Sequence, residues 1–447
     1  MSFFKKIVLE NLLLPIGDFV LGTEYIKSLK EWRIIQLLNE NELEKLQNDK
    51  LLKLLNHAQK NIPFYQNINK DKQIDIKDFP IVNKTIHKKN IDLFLLNPEN
   101  KNSLICEKSS GSSGIQGTVY MSKKEQSKIQ ALQTLMWEWA GYEFGWPMLQ
   151  TGMSSKRSLV KRMKDIILNI NYELAFGLDP SGVIEALEKI NKKTRPIIGG
   201  YASSMYVYAK IAKENNIRIK KFKSVISWGD KMFDQYRKLI EEVFSCKVHD
   251  IYGTTEGFVI SGQKDSIYQY IFTPQVYLEL LDENGNEVND GEIGHVVVTH
   301  LDAYEMPLIR YTLGDLAIKL PKSEYPSNKS LSFPMFKKII GRDTDIIYTQ
   351  TGKSLIVHFF TGIFEYFPEI KQFRVIQNNL NSITIEYIVD KNFSNQILVN
   401  IENRIIEELK EKIIIVFEKV EFIPNTASGK PQIILSTLST KLLKNED

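Results

Sequence analysis

The sequence predicts an α/β protein. A large N-terminal domain with mixed or parallel sheets and a β-rich subdomain precedes a small, mobile α+β C-terminal domain. Helical and strand-like segments alternate over residues 182–259, which is typical of parallel strands joined by crossover helices. After Pro274, short apolar runs separated by turn residues indicate antiparallel strands. Residues 342–447, after this β-rich part, are numerous enough to fold as a separate unit. We therefore expect domains at 1–341 and 342–447.

The composition excludes several classes of protein. Of the 447 residues, 43% are hydrophobic and 25% charged, which is usual for a globular chain of more than one structural unit. Lys and Arg exceed Asp and Glu by only four (58 minus 54), too few to predict a nucleic-acid partner. The two cysteines, Cys106 and Cys246, can build neither a disulfide framework nor a cysteine-rich zinc site. We therefore expect a reducing, cytoplasmic location.

The first residues resemble a secretory signal only in part. A pair of lysines precedes the apolar run 7–14, but Glu10 interrupts the run and no small-residue cleavage site follows. Pro15, Gly17 and Gly22 are expected to break the segment well short of the roughly 20 apolar residues of a transmembrane helix. We expect an apolar arm packed on the body of the protein, with peripheral membrane contact as the alternative.

Two helices are predicted before the α/β segment. Apolar residues at helical spacing indicate a helix over 43–61, and His57 on that helix is expected to be structural, without a chemical role. A second helix is predicted over 122–140, with Trp137 and Trp139 expected in the core.

The most distinctive stretch is Ser109-Ser110-Gly111-Ser112-Ser113-Gly114-Ile115-Gln116-Gly117-Thr118, which lies between strand-like runs. Glycines let the backbone turn closely around an anion, and hydroxyl groups add hydrogen-bond donors without bulk or charge. A nucleotide triphosphate requires a loop of this kind, and a loop between a strand and a helix is a suitable place for it. By composition alone the run could equally be a flexible linker. Its shortness and its strand-like flanks favour phosphate binding.

In the α/β segment, strands are predicted at 196–198, 224–226 and 247–251. The helices predicted around them span 186–192, 203–215 and 231–244. Ligands collect beyond the carboxyl ends of parallel strands, so loops 227–230 and 252–257 should lie near one another. The second loop offers an aromatic ring, two hydroxyls and a carboxylate, suited to a nucleobase, a phosphate and Mg²⁺ respectively. An ordinary surface turn is the alternative.

The β-rich part begins with strands predicted at 276–281 and 294–299, joined through an Asn-Gly hairpin signal. An apolar strand over 306–315 then ends in Gly314-Asp315. Asp315 could accept hydrogen bonds from two ribose hydroxyls, although a Gly-Asp pair at a strand end is usually only a turn.

Residues 320–336 contain three prolines and are predicted to form an irregular connection before the final domain. In that domain we expect strands at 373–377, 383–389 and 413–422, and a helix that carries Ile397, Ile401, Ile405 and Leu409 on one face. Lys430 follows on a glycine-containing loop, where most lysines are merely solvated.

The loops at 109–118, 250–257, 306–315, 341–347 and 424–431 resemble, in order and approximate spacing, the core motifs of the adenylate-forming superfamily. Within it the chain is similar to the phenylacetate-CoA ligase branch, including relatives encoded with capsular-polysaccharide genes. Further matches are Asn56-His57-Ala58, Asn61-Ile62-Pro63-Phe64-Tyr65 and Met306-Pro307-Leu308-Ile309-Arg310-Tyr311. The likeness covers nearly the whole chain from about Leu43.

The resemblance implies that ATP and Mg²⁺ activate a small-molecule carboxylic acid as an acyl-AMP, followed by transfer to a thiol, expected to be coenzyme A. It assigns the β- and γ-phosphates of ATP to Ser109, Ser110, Gly111, Ser112, Ser113 and Gly114. It assigns adenine binding to Asp250 and Tyr252, in the loop that also contains Gly253 and Thr254. Asp230 occupies an acidic position that is commonly glutamate in the family. The resemblance implies that Thr255 contacts the α-phosphate, Glu256 binds the metal, and Asp315 binds the ribose hydroxyls.

At the predicted domain junction, the resemblance implies that Arg342 supports the nucleotide and that the hinge lies at or beside Thr344. Lys430 would bridge the substrate carboxylate and the α-phosphate during adenylation. A triphosphate repels an attacking carboxylate, so such catalysis depends on positioning and charge neutralisation rather than on a protein nucleophile. The C-terminal domain would act as a lid that moves Lys430 away before thioester formation.

The sequence does not identify the substrate acid. Tyr201, Trp228 and Gly257 lie where a pocket could form, and aromatic walls would suit an aryl or other flat acid, although these aromatics could equally be core. The family's phosphate loop continues with lysine and proline where this chain has Ile115 and Gln116, and Gln432-Ile433 replaces an expected basic residue.

Two alternatives stay open. In the first, the acyl group passes to a carrier-protein thiol or to an amino sugar destined for a surface polysaccharide. In the second, the chain is a nucleotide-binding regulatory or scaffold protein that has lost catalysis, as the altered phosphate loop would allow. The resemblance also allows a homodimer.

Overall fold

The computed structural model describes residues 2–68, 74–108, 117–152, 158–175, 180–342, 346–350, 354–364, 366–424, 432–436 and 438. Residues 109–116 of the Gly/Ser loop, the predicted hinge at Thr344 and Lys430 lie outside the described residues. In the part of the chain that the structure describes, no helix is both long and apolar enough to cross a bilayer.

A large mixed sheet, with eleven strands among the described residues, dominates the structure. Its order from one edge is Val276–Leu281, Ile293–His300, Tyr311–Lys319, Met335–Arg342, Gln269–Ile271, Val259–Gln263, Val248–Gly253, Ser224–Ser227, Ile197–Gly200, Met148–Gly152 and Ile170–Leu174. Val248–Gly253 pairs parallel with Ser224–Ser227 on one side and antiparallel with Val259–Gln263 on the other. The predicted combination of a parallel part and a β-rich part in one large domain is confirmed.

Over residues 182–259 the helices alternate with the strands, as the sequence predicts. They span Ser2–Val8, Leu14–Leu21, Tyr25–Ile35, Glu40–Asn61, Lys84–Lys89, Lys123–Trp139, Leu159–Leu168, Pro180–Asn191, Ala202–Glu214, Asp234–Phe244, Val357–Phe364 and Asn395–Leu409. Every residue of strands Ile197–Gly200 and Ser224–Ser227 is buried, as expected where helices cover both faces of a parallel sheet.

Local capping explains where the two predicted early helices begin. Asn39 Oδ1 accepts from the backbone N–H of Glu42, and the Glu42 carboxylate accepts from the backbone N–H of Asn39, which completes a capping box. Ser122 and Glu125 form the same arrangement before helix Lys123–Trp139. His57 lies 3.0 Å through Nε2 from the carbonyl oxygen of Tyr304, in agreement with its predicted structural role.

The N-terminal segment differs from the expectation. Pro15 and Gly17 do not break it, because Pro15 lies in the first turn of helix Leu14–Leu21, where a missing N–H is tolerated. A π-helical turn, Leu9–Leu13, joins this helix to Ser2–Val8, and Gly22 ends it in the left-handed conformation with φ of 68°. Leu9 is buried in the core, but most apolar side chains of the segment are exposed.

The β-rich part contains two further corrections. The hairpin of Val276–Leu281 and Ile293–His300 is confirmed, but Asp315 does not end a strand. Gly314, with φ of 72°, is accommodated inside Tyr311–Lys319, so the strand continues beyond Asp315. The irregular stretch after it also does not lead directly into the final domain, because Met335–Arg342 returns to the large sheet between Tyr311–Lys319 and Gln269–Ile271.

Two smaller sheets each pair two of the described strands. Ile105–Lys108 pairs antiparallel with Thr118–Met121, so the two strand-like flanks of the Gly/Ser loop lie side by side. Ile346–Tyr348 pairs antiparallel with Ser354–Ile356.

The C-terminal residues form a separate sheet, as predicted. Its order is Ile414–Lys419, Ser382–Val389, Ile370–Asn379 and Ile434–Ser436, with four strands among the described residues. Helix Asn395–Leu409 buries Ile401, Ile405 and Leu409 against this sheet, and Phe364 and Val375 belong to the same apolar core. We place the domain boundary between residues 341 and 342 as a proposal.

Candidate active site

Asp250 lies inside the large sheet and is held by protein groups on both carboxylate oxygens. Ser227 Oγ donates to Oδ1, and Gln269 Nε2 donates to Oδ2 over 3.0 Å. Burial raises the pKa of Asp250 to about 6, and the bond from Ser227 opposes that rise. This side chain therefore links its strand by hydrogen bonds to strands on either side of it. Its assignment to adenine stays a prediction.

Asp230 stabilises the start of a helix from a neighbouring loop. Its carboxylate accepts from the backbone N–H groups of Ala202, over 2.6 Å, and of Ser203, over 3.2 Å. These donors open helix Ala202–Glu214, where a negative charge is favourable. Tyr201 packs beside this loop, since a Cβ atom on Gly229 would lie 2.6 Å from the Tyr201 ring.

Residues predicted to contact the adenine and the ribose touch directly. The Tyr252 hydroxyl donates to Asp315 Oδ2 over 2.6 Å, a charge-assisted hydrogen bond that fixes the carboxylate. Asp315 also lies opposite Arg342 in the antiparallel register of Tyr311–Lys319 and Met335–Arg342. Three separate sequence motifs therefore meet at one place on the sheet.

Glu256 is buried beside a cation that the sequence analysis did not select. The residue is 7% exposed, and Lys84 Nζ lies 3.3 Å from its Oε1. The two atoms form an ion pair without hydrogen-bond geometry, so Oε1 has no hydrogen-bond partner among the described residues. Lys84 opens helix Lys84–Lys89, which is capped by Asn83 and follows a backbone bridge from Val82 to Tyr311.

Three other buried polar atoms near Glu256 also have no hydrogen-bond partner in the described part of the chain. They are His87 Nε2, Thr254 Oγ1 and Tyr311 Oη. Burial lowers the pKa of His87 from 6.5 to about 4, against the opposing charge of Glu256. Burial and the Glu256 charge together raise the pKa of Tyr311. Buried polar groups are normally satisfied, so this cluster is suited to a polar ligand or an ordered water.

A small cavity of about 20 Å³ opens beside Glu256, which is enough for one water molecule. Its lining includes Tyr120, Met121, Ile129, His300 and Met306. Gly257 contacts the same wall. With its φ of 90°, a Cβ atom there would lie 3.0 Å from Ile129 Cδ1 and 3.3 Å from Met121 Cε.

The three residues predicted to form an acid pocket are not brought together around this cavity. Neither Tyr201 nor Trp228 belongs to its lining, and Trp228 instead stacks on Trp137 with ring centroids 5.7 Å apart. A larger cavity of about 420 Å³ lies beside the N-terminal helices and includes none of the predicted site residues. The pocket assignment of Tyr201, Trp228 and Gly257 stays a prediction.

The remaining predicted residues divide into two groups. Thr255 is exposed beside Glu256, and Gly253 lies so close to the loop backbone that a Cβ atom would be 2.7 Å from the Phe258 carbonyl oxygen. Ser109 to Gly114 and Lys430 are outside the described residues. Among the described residues, no group of three or more His, Cys, Asp or Glu side chains could hold a metal ion.

Comparison with known proteins gives three kinds of match. Residues 347–437 match the family model of the CapK C-terminal domain. A segment of 119 residues is 29% identical to phenylacetate-coenzyme A ligase from Pseudomonas putida. That match spans about a quarter of this chain and of the relative, 26% of each.

Solved structures match over a much larger share of the chain. 2-Hydroxyisobutyryl-CoA ligase in its postadenylation state is 15% identical, with a TM-score of 0.70 over 91% of this chain and 92% of that one. The same ligase in its thioesterification state gives a TM-score of 0.58 at 15% identity, over 90% and 91% of the chains. An amide bond synthetase from Marinactinospora thermotolerans gives 0.52 at 15% identity, over 74% and 67%.

At such identities the solved structures establish the fold. The chain has the fold of 2-hydroxyisobutyryl-CoA ligase, is similar to phenylacetate-coenzyme A ligase over one segment of 119 residues, and matches the CapK C-terminal domain over residues 347–437.

Proposed function

We propose that the protein uses ATP to activate a small-molecule carboxylic acid as an acyl-AMP and then transfers the acyl group to a thiol, coenzyme A. The observation that supports this proposal is the 2.6 Å hydrogen bond from Tyr252 to Asp315, which joins two distant motifs that the family resemblance assigns to the nucleotide. Glu256, from the same loop as Tyr252, adds a buried carboxylate oxygen without a hydrogen-bond partner among the described residues.

In this proposal the Asp315 carboxylate accepts hydrogen bonds from the two ribose hydroxyls, while Tyr252 holds that carboxylate in place. A ligand group that is already fixed loses little freedom when the nucleotide binds, which favours affinity. The backbone of Arg342, opposite Asp315 in the sheet, would place the start of the C-terminal domain beside the nucleotide.

Glu256 is suited to hold Mg²⁺ together with oxygens of the ATP phosphates. Magnesium in nucleotide sites commonly uses one or two carboxylates plus substrate phosphates, so a three-carboxylate cage is not required. Oε1, which makes no hydrogen bond among the described residues, could accept such a ligand. When bound, the metal would neutralise charge on the phosphates, and Lys84 would contribute a second positive charge close by.

Lys430 keeps the role that the family resemblance implies, a bridge between the substrate carboxylate and the α-phosphate in the first half-reaction. We propose that residues 342–447 form a lid that carries it. The same ligase matches this chain at a TM-score of 0.70 in its postadenylation state and 0.58 in its thioesterification state. A small domain that changes position between half-reactions would produce such a difference, which supports the proposed lid.

The final acceptor and the acid are the open parts of the proposal. A carrier-protein thiol or an amino sugar would need the same adenylation site, so the residues described above favour none of the three acceptors.

The direct test is exchange of labelled pyrophosphate into ATP with a panel of aryl, fatty and amino acids. We expect exchange with at least one acid, followed by thioester formation when coenzyme A is added. Asp315→Ala should weaken ATP binding and exchange, whereas Asp290→Ala, at an exposed aspartate paired with Lys319, should change neither. ATP binding without exchange for any acid would favour the regulatory or scaffold alternative, and no ATP binding would refute both.

A further inference from the structure

The N-terminal helices expose a continuous set of apolar side chains, here called the N-terminal patch. Its members are Leu12, Leu13, Ile16, Phe19, Val20 and Leu21. Phe19 is 89% exposed and Val20 72%, and helix Leu14–Leu21 has no buried residue. Isolated exposed apolar residues are ordinary, but six within ten consecutive positions form a patch that marks an interaction surface.

Polar contacts hold Lys6, Glu10 and Asp18 of the arm against the body of the protein. Lys6 Nζ lies 3.5 Å from Glu143 Oε2, and Glu10 pairs with Arg33. Asp18 accepts from the backbone N–H groups that open the following helix, including that of Tyr25 over 3.0 Å. The apolar side chains of the patch are therefore left on the solvent side.

A second helix also presents an apolar face to solvent while a charged side chain is buried. Helix Leu159–Leu168 exposes Leu159, Met163, Ile166 and Ile167, with Ile166 at 77%. This spacing places the four side chains on one face of the helix. Asp165 is instead buried, the opposite of a surface helix that packs its apolar side on a core.

The two elements lie next to each other. Asn169, which ends the second helix in the left-handed conformation, donates through Nδ2 to the Gly145 carbonyl oxygen over 3.1 Å. A Cβ atom on Gly145 would lie 2.9 Å from Lys5 Cδ and 3.2 Å from Leu9 Cδ1, so the N-terminal helices pass over the same residue. Trp146 follows, half-buried, with Lys223 Nζ 3.8 Å from its ring centroid.

We propose that the N-terminal patch and the exposed face of helix Leu159–Leu168 together dock the protein on an anionic lipid surface. Lys5, in the first N-terminal helix, and Arg162, on the flank of the apolar face of helix Leu159–Leu168, have no carboxylate partner among the described residues. Apolar faces bordered by lysine and arginine, with tryptophan nearby, are typical of helices that lie in the headgroup region of anionic membranes.

The same charges argue against a second copy of the chain as the occupant. A two-fold interface brings the same surface together from both copies, so these basic residues would face one another. An anionic bilayer supplies the opposite charge and an apolar layer at once. This inference does not depend on the proposed catalytic activity.

The test is flotation of the full-length protein with vesicles of phosphatidylcholine alone and of equal parts phosphatidylcholine and phosphatidylglycerol. We expect binding to the mixed vesicles and little to the neutral ones. Phe19→Glu combined with Ile166→Glu should lower the partition coefficient at least tenfold, and Arg162→Glu roughly fivefold. Phe422→Glu, at a residue that is 73% exposed in the C-terminal domain, should bind as the wild type does.

Unchanged unfolding midpoints will show that each variant is folded. The proposal is overturned if the wild type ignores the mixed vesicles or if the double variant floats like the wild type. It is also overturned if light scattering shows a wild-type dimer that the double variant disperses without any vesicle binding, because the surface would then join two copies.

Discussion

Asp250, which is half-buried, and Glu256, which is buried, lie on one strand and the loop that follows it, yet their surroundings differ. Both oxygens of Asp250 accept hydrogen bonds from side chains of other strands of the sheet. Glu256 has an ion pair with Lys84 and an oxygen with no hydrogen-bond partner in the described residues. Burial alone therefore does not distinguish a structural carboxylate from a ligand-binding one, whereas the unsatisfied oxygen does.

The largest expected effect is on activity, at Glu256. Glu256→Gln keeps the size of the side chain but removes the charge that would hold Mg²⁺, so we expect exchange of pyrophosphate into ATP to fall by about a hundredfold or more. Initial rates across a range of Mg²⁺ concentrations will measure this. Equal rates for variant and wild type would show that Glu256 is as structural as Asp250.

The next effect is a pH dependence of stability at His87. Its imidazole is buried with a pKa lowered to about 4, so the folded state disfavours the proton that the unfolded chain takes up below pH 6.5. This residue's contribution is complete above pH 6.5 and is lost as the pH falls towards 4.

In acid, the wild type should lose up to about 3 kcal/mol of its free energy of unfolding through protonation of His87, and His87→Leu should not show this part of the loss. Urea unfolding of variant and wild type at pH 7.5 and at pH 4.5 will measure it, and the difference between the two proteins cancels the titration of other groups. If the wild type loses as little stability in acid as the variant, then His87 is not held neutral beside Glu256.

A smaller loss of stability is expected at Asp250. Asp250→Ala leaves the buried Ser227 hydroxyl and the Gln269 amide without their acceptor, at a cost of about 2 kcal/mol. Chemical unfolding will measure it, with Asp290→Ala as the exposed counterpart. A variant with full stability but weakened ATP binding would instead support the adenine contact that the family resemblance assigns to Asp250.

The smallest effect is expected at the hydroxyl that orients Asp315. Tyr252→Phe removes one charge-assisted hydrogen bond, so ATP affinity should fall roughly tenfold while the fold is kept. Calorimetric titration of ATP into Tyr252→Phe and into Tyr277→Phe, a tyrosine of the distant hairpin, will compare the two. Equal affinities would show that the Asp315 carboxylate does not need this support.

The sequence predicted the features that depend on local signals. Alternating helix and strand patterns gave the parallel strands, and Asn39 and Ser122 cap the helices that their neighbours predict. Local rules failed where the surroundings accommodate an exception. Gly314 continues a strand because its left-handed φ is tolerated there, and Pro15 fits the first turn of a helix.

The candidate site was predictable only in part, because its decisive contacts join distant segments. Asp315 and Tyr252 could be selected from their motifs, but their hydrogen bond depends on the packing of separate strands. Lys84 and His87 lie on a short helix whose sequence offers no signal for a site. Only the folded chain brings them beside Glu256, so sequence reasoning missed them.

The central claim is that Glu256 and Asp315 serve one bound ATP molecule through its metal and its ribose. Calorimetric titration of ATP, with and without Mg²⁺, into the wild type, Glu256→Gln and Asp315→Ala tests it most directly. The account predicts one ATP per wild-type chain with Mg²⁺-enhanced affinity, loss of only that enhancement in Glu256→Gln, and weaker binding in both conditions for Asp315→Ala. Wild-type protein that binds no ATP, or two variants that bind as the wild type does, would contradict it.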